Sequence, residues 1–204
     1  PVPWGGSLFE WDSDDAKRAL RLIKLGHGEY ASSLVKDLTP IPGYTETEIT
    51  YARSLLQQSL GAYNVAFQLV VRQFGQTLKK EISPETLSIF RLAYPAAFES
   101  LVQRKCDQVS MDPSLIWAIM RQESAFAIRA LSWASAQGLM QIIPRTGRKI
   151  AAALEKEDYD VSMLRTPDTS IEFGSWYFAE LLKKFHGHPA LAIASYNAGP
   201  QAVS

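Results

Sequence analysis

Apolar residues recur along this chain at spacings of three and four, and strict alternation persists nowhere, which predicts helices from end to end. Between Asp14 and Gly26, Ala16, Ala19, Leu20 and Ile23 share one face, and Gly26 suits a helix end. A turn at His27-Gly28 leads into a second stretch, Glu29 to Leu38, which Pro40, Pro42 and Gly43 stop. Thr45-Glu46-Thr47-Glu48 has the form of a capping box, in which the threonine caps and Glu48 reaches back; the helix it opens runs to about Leu60. Asn64 to Phe74 reads as a further helix ending at Gly75. Ser83-Pro84 offers a cap followed by proline at the first helical position. Past Pro95, Phe98, Leu101, Val102 and Cys106 form another stripe.

The second half differs in texture. Asp112-Pro113 opens a very apolar helix that runs to about Ser124. A stretch of small and polar residues follows, Arg129 to Gly138, with room for at most a small hairpin. Pro144 precedes a helix to about Glu157. Asp168 is placed to cap a long helix with Ile171, Gly174, Phe178, Leu181, Leu182 and Phe185 on its inner face, ended by Gly187. Pro189 starts a final helix that Gly199 and Pro200 stop. The expected fold is all-α: an α-superhelical helix array over residues 1–107, without a fixed-period repeat, followed by a second domain over 108–204.

Composition narrows the function classes. Twenty-one Lys plus Arg balance 21 Asp plus Glu, so the chain lacks the basic excess with which proteins grip polyanions, and nucleic acid is not expected as a partner. No apolar run approaches the roughly 18 residues of a membrane span. No signal peptide is visible, and the chain starts at Pro1 rather than Met, so it reads as processed, excised or part of something longer, and localisation has to come from function. The single cysteine, Cys106, reads as a small buried apolar side chain. His186-Gly187-His188 suggests solvated histidines on a glycine turn rather than a metal site. The Lys79-Lys80 and Lys183-Lys184 pairs read as exposed helix faces. Trp4, Phe9 and Trp11 suit either a docking segment or local core.

One acid stands out. Ile116, Ile119 and Met120 precede Glu123 at spacings of seven, four and three, which puts all four on one helical face. A carboxyl against apolar groups, at the negative end of a helix dipole, is biased toward its protonated form and can donate a proton to a leaving oxygen. The same spacing also suits a glutamate at a frayed helix end, turned to solvent.

The text around Glu123 carries a resemblance. Glu123-Ser124-Ala125-Phe126 is followed by Ser132, then Gly138-Leu139-Met140-Gln141, Pro144 and Thr146, and far downstream by Tyr196-Asn197-Ala198-Gly199. Over about Met111 to Pro200 this closely resembles the soluble lytic transglycosylases, a goose-lysozyme-like family marked by these three motifs in this order. More loosely, Leu92-Ala93-Tyr94-Pro95 and the helices before it resemble the superhelical segment that precedes the catalytic domain in larger members.

The resemblance implies a lysozyme-like domain acting on peptidoglycan glycan strands, with Glu123 as the single catalytic acid and Ser132 close to it. Gly138, Met140 and Gln141 match a groove wall: the glycine would let a sugar approach the backbone, the methionine give an apolar platform, and the amide bond hydroxyl or N-acetyl groups. Tyr196 and Asn197 match the far side of the cleft. Met140 in the core, Tyr196 as packing and Asn197 as a cap remain the plainer readings. Glu155, Glu157, Asp158 and Asp160 lie in a charged connection and offer no obvious second catalytic carboxylate. A one-acid site fits non-hydrolytic cleavage of the MurNAc-GlcNAc bond to a 1,6-anhydromuramyl end, with no metal or organic cofactor. The alternatives are hydrolysis by the same fold, as in goose-type lysozymes, and a glycan-binding scaffold with little turnover. The function places the protein in the periplasm or cell envelope, where the helical array could also meet cell-wall protein partners. Three positions depart from the family pattern: Ser135 where glycine is usual, Ser170 where asparagine is common, and Ser195 in place of a frequent alanine. Members also usually continue past this point with a further helical segment, so the groove is expected to be incomplete at its C-terminal side.

Overall fold

The computed structural model describes residues 9–10 and 12–199, so Trp4 and Trp11 lie outside the described residues. Ten α-helices account for most of it, and among the described residues β-structure is limited to isolated bridges. None of the described helices is long and apolar enough to cross a membrane. The chain divides into two compact units, residues 1–97 and 98–204.

The first unit holds α1 (Asp14–Lys24), α2 (Gly28–Val35), α3 (Glu46–Ser59), α4 (Tyr63–Phe74) and α5 (Leu87–Ala93). Local signals set the ends. Ser13 Oγ accepts from Ala16 N, and the Thr45–Glu48 capping box is closed in both directions. Small residues set the spacing: Ala16, Ala19, Ala31 and Ala52 are buried together with Val35, Leu38, Leu56 and Phe9. Gly28 lets the start of α2 lie against α3, because a Cβ there would come within 2.4 Å of the Leu60 carbonyl oxygen. Buried Gln57 clasps α2, donating to Ser32 O (3.1 Å) and accepting from Ser32 Oγ (2.6 Å). Phe9 therefore belongs to local core, and its backbone bridges to Pro40. Helix α5 starts at Leu87 rather than beside Pro84. Ser83 instead opens a turn in which its N–H donates to Thr86 Oγ1 (2.9 Å).

The second unit is built around α9 (Pro167–Lys184), with α6 (Glu99–Gln108), α7 (Pro113–Ser124), α8 (Pro144–Ala153) and α10 (Pro189–Ala198) packed on it. Ile171, Phe173, Phe178 and Leu181 are its buried spine. Helix α6, expected in the first segment, belongs here. Lys105 reaches Glu172 on α9 at 3.0 Å, and the division between the two units falls at Ala97/Phe98. Helix α8 stops at Ala153, short of Glu157, in a turn where Glu155 adopts φ 54°. Asp168 lies in the first turn of α9, where its charge complements the helix dipole, while Thr166 occupies the cap.

Candidate active site

Helix α7 delivers Glu123. Asp112 caps it by accepting from Ser114 N (2.8 Å), Pro113 fills the first position, and Ile116, Ile119 and Met120 are buried. At its far end two successive left-handed residues, Ala125 (φ 48°) and buried Phe126 (φ 63°), reverse the chain immediately after the acid. Glu123 is left half-buried, and burial pushes its carboxyl above the ordinary carboxylate range, with no cation or hydrogen bond among the described residues pulling it back.

The reversed chain forms a short tight loop. Ser132 N donates to Ala136 O (3.0 Å), Ala136 N to Ser132 Oγ (3.0 Å), and Ser135 N to Ser132 O (3.0 Å). Ser135 sits at φ 63°, in the left-handed region that favours glycine. Gln137 then bridges both Leu131 and Ile142, and its side chain accepts from Arg165 Nε (3.0 Å). This stretch, with room for at most a small hairpin, holds single bridges only.

Loop, α7 and α10 enclose a cleft of about 580 Å³. Glu123, Ser132, Gln141, Tyr196 and Asn197 all line it, so five of the seven residues singled out from the sequence come together. Ser132 Oγ already accepts from its own loop, which leaves the hydroxyl proton for a ligand. Gln141, at φ 47°, donates one amide N–H to Gly138 O (3.0 Å). Asn197 is exposed at the rim and donates to Ile193 O (3.3 Å). Tyr196 donates its hydroxyl to Met140 O (2.6 Å) and lays its ring against Tyr177 and Phe178. Burial first, then the charges of Glu123 and Tyr177, hold that hydroxyl far above the usual tyrosine range, so it remains a donor.

Gly138 and Met140 do not line the cleft. Both are buried, and Met140 is 0% exposed, packed on Gly174 of α9. A Cβ on Gly138 would fall 1.8 Å from Leu164 O and 2.8 Å from Ser170 Oγ, so this glycine serves a backbone-to-backbone contact inside the protein and not the approach of a ligand. Ser170, in the position where asparagine is common in the resembled family, accepts from Met140 N (3.1 Å) and pins the same turn. Ser195 is buried with no hydrogen-bond partner for its hydroxyl among the described residues.

Two aromatic residues of the cleft were not foreseen. Tyr177 extends from α9, one helical step from the buried Phe178; its place in an aromatic run, Trp176-Tyr177-Phe178, was the available signal. Trp133 stands on the loop beside Ser132, an aromatic among small and polar letters. His186 and His188 are exposed, and no cluster of three or more potential metal ligands occurs among the described residues. Cys106 is buried in the second unit, and burial pushes its thiol up to about 11.

Comparison with known proteins gives a consistent result. Residues 100–204 match the family described as the transglycosylase SLT domain. The soluble lytic murein transglycosylase of Salmonella typhimurium is 34% identical over 111 residues, which is 54% of this chain and 17% of that protein. The membrane-bound lytic murein transglycosylase C of Actinobacillus pleuropneumoniae is 38% identical over 112 residues, 50% of this chain and 31% of the relative. The match therefore spans less than a third of either relative. Among solved structures, the 70 kDa soluble lytic transglycosylase from Escherichia coli superposes on 95% of this chain and 29% of its own, with a TM-score of 0.72 at 22% identity. A complex of the 70 kDa soluble lytic transglycosylase with bulgecin A gives the same TM-score at 21% identity. At such identities the likeness is one of fold.

Proposed function

The chain belongs to the transglycosylase SLT domain family, and from that premise we propose that its cleft cuts the β-1,4 bond between MurNAc and GlcNAc in peptidoglycan and leaves a 1,6-anhydromuramyl end. The observation that carries this reading is the solitary acid: among the described residues lining the cleft, Glu123 is the only carboxylate. Ordinary glycosidases need two, one as acid and one as base or nucleophile. A single carboxyl with a raised pKa can serve in both capacities in turn if the substrate supplies the nucleophile.

In this scheme the protonated Glu123 gives its proton to the glycosidic oxygen as the C1–O bond breaks. The sugar's N-acetyl group stabilises the cationic centre at C1. The Glu123 carboxylate then takes the proton from the C6 hydroxyl as that oxygen bonds to C1, which restores the acid and consumes no water. Attack from within the same sugar has a high effective molarity. Ser132, Gln141 and Asn197 offer hydroxyl and amide groups along the walls for the hydroxyl and N-acetyl groups of the strand. Tyr196, fixed as a donor to Met140 O, ties α10 to the Gly138–Gln141 turn. The substrate places the protein in the bacterial cell envelope.

Digestion of purified peptidoglycan followed by mass spectrometry tests the proposal. Wild-type protein should release anhydro ends, lighter than reducing ends by one water. Glu123→Gln should fold normally and lose about 10²- to 10⁴-fold of the activity. Reducing ends alone would replace transfer by hydrolysis, and undiminished cleavage by Glu123→Gln would remove this acid from the mechanism.

A further inference from the structure

Trp133 has no structural employment. Its side chain is 99% exposed, yet the loop that carries it is tied by three hydrogen bonds between Ser132, Ser135 and Ala136. Nothing in the fold requires a large aromatic at this point, and leaving an indole wholly in water forgoes the stabilisation its burial would bring. What the position does provide is a place in the same cleft as Glu123, at its mouth.

The chemistry around it narrows the ligand. Apart from Glu123 no charged side chain lines the cleft itself among the described residues; Arg145, Lys149 and Glu180 line the hollow that adjoins it past Ile143 and Tyr177. The remaining lining is of two kinds: small hydroxyls and amides such as Ser132, Thr146 and Asn197, and apolar surfaces such as Ile143 and Trp133. That mixture matches a neutral sugar ring, whose faces are C–H and whose edges are hydroxyl. A flat indole on a preorganised loop suits the C–H face, because it costs little conformational entropy to immobilise on binding.

We propose that Trp133 is a stacking platform for one pyranose ring of the glycan strand, outside the scissile bond, and so determines how firmly the strand is held. The inference rests on the glycan reading of the cleft and goes beyond it by naming a binding residue on the loop. Trp133 takes no part in proton transfer.

Binding of GlcNAc oligomers of increasing length is measured by calorimetry in the full chain carrying Glu123→Gln, so that turnover does not interfere, with and without Trp133→Ala or Trp133→Tyr. Because Trp133 packs against nothing, these variants should melt with the parent. Trp133→Ala should weaken the longer oligomers about tenfold, and Trp133→Tyr should stay within about threefold of the parent. In the active protein, Trp133→Ala should raise KM on glycan strands more than it lowers kcat. The emission contributed by Trp133, taken as the difference from Trp133→Ala, should be open to iodide quenching and shielded by oligomer. Equal oligomer affinity with and without the indole, in a protein that does cleave peptidoglycan, overturns this inference alone. A loss seen only with peptide-bearing strands overturns it in favour of a peptide contact. Protein that neither cleaves nor binds glycan overturns the proposed function and this inference with it.

Discussion

In a Gly138→Ala variant the new methyl carbon would stand 1.8 Å from the Leu164 carbonyl oxygen and 2.8 Å from Ser170 Oγ. A relaxed carbon–oxygen contact is about 3.3 Å, so the two segments must part by about 1.5 Å. Neither can give easily. Leu164 is fully buried, and Ser170 anchors α9 through its bond from Met140 N. Overpacking of this kind costs about 1–3 kcal/mol, and a non-glycine residue at φ 78° adds about 1–2 kcal/mol. Gly187→Ala separates the two effects. It has nearly the same backbone angle, φ 81°, in the same unit, but its Cβ would meet nothing within 4 Å. Gly138→Ala should therefore be the less stable of the pair by about 1–3 kcal/mol, or about 4–24 °C in melting midpoint for a unit of about 100 residues. Thermal melting followed by circular dichroism reads the difference directly. Equal midpoints for the two alanine variants would refute the argument that Gly138 exists for the contact with Leu164 rather than for its angle alone.

Burial holds the pKa of Glu123 in the folded state above its unfolded value, so the stability linked to this group is full below the unfolded pKa and is lost as pH rises through the folded one. Glu123→Gln should remove that loss and leave a variant at least as stable as the wild type at neutral pH in urea denaturation; a clearly weaker variant would contradict it. By the same titration kcat/KM of the wild type should fall as pH rises through the folded pKa, because the proton donor disappears. Tyr196→Phe deletes the 2.6 Å bond to the carbonyl of buried Met140 and should cost about 1–2 kcal/mol, measured by the same denaturation; no change would mean that the bond is not holding α10 to the Gly138–Gln141 turn.

Much of this protein is written locally in its sequence. Helical period is a property of neighbours three and four apart, so spacing alone places Ile116, Ile119, Met120 and Glu123 on one face. Caps are equally local, and Thr45, Asp112 and Pro113 act where their letters suggest. The motifs around Glu123, Ser132, Gln141, Tyr196 and Asn197 point to a common site because all five belong to segments that meet in one cleft. Other questions depend on partners remote in the chain. Gly138 and Met140 carry the same letters whether they face a sugar or α9, and only the positions of Leu164, Ser170 and Gly174 decide for the interior. The membership of α6 is settled by Lys105 and Glu172, 67 residues apart. Local propensity has no access to such pairs, since a backbone turn and a helix face are each complete without the neighbour that covers them. The exposure of Trp133 is the converse case: an aromatic letter raises the expectation of burial, and the tight hydrogen-bonded loop at the cleft mouth overrides it by holding the residue where the protein has nothing to place against it.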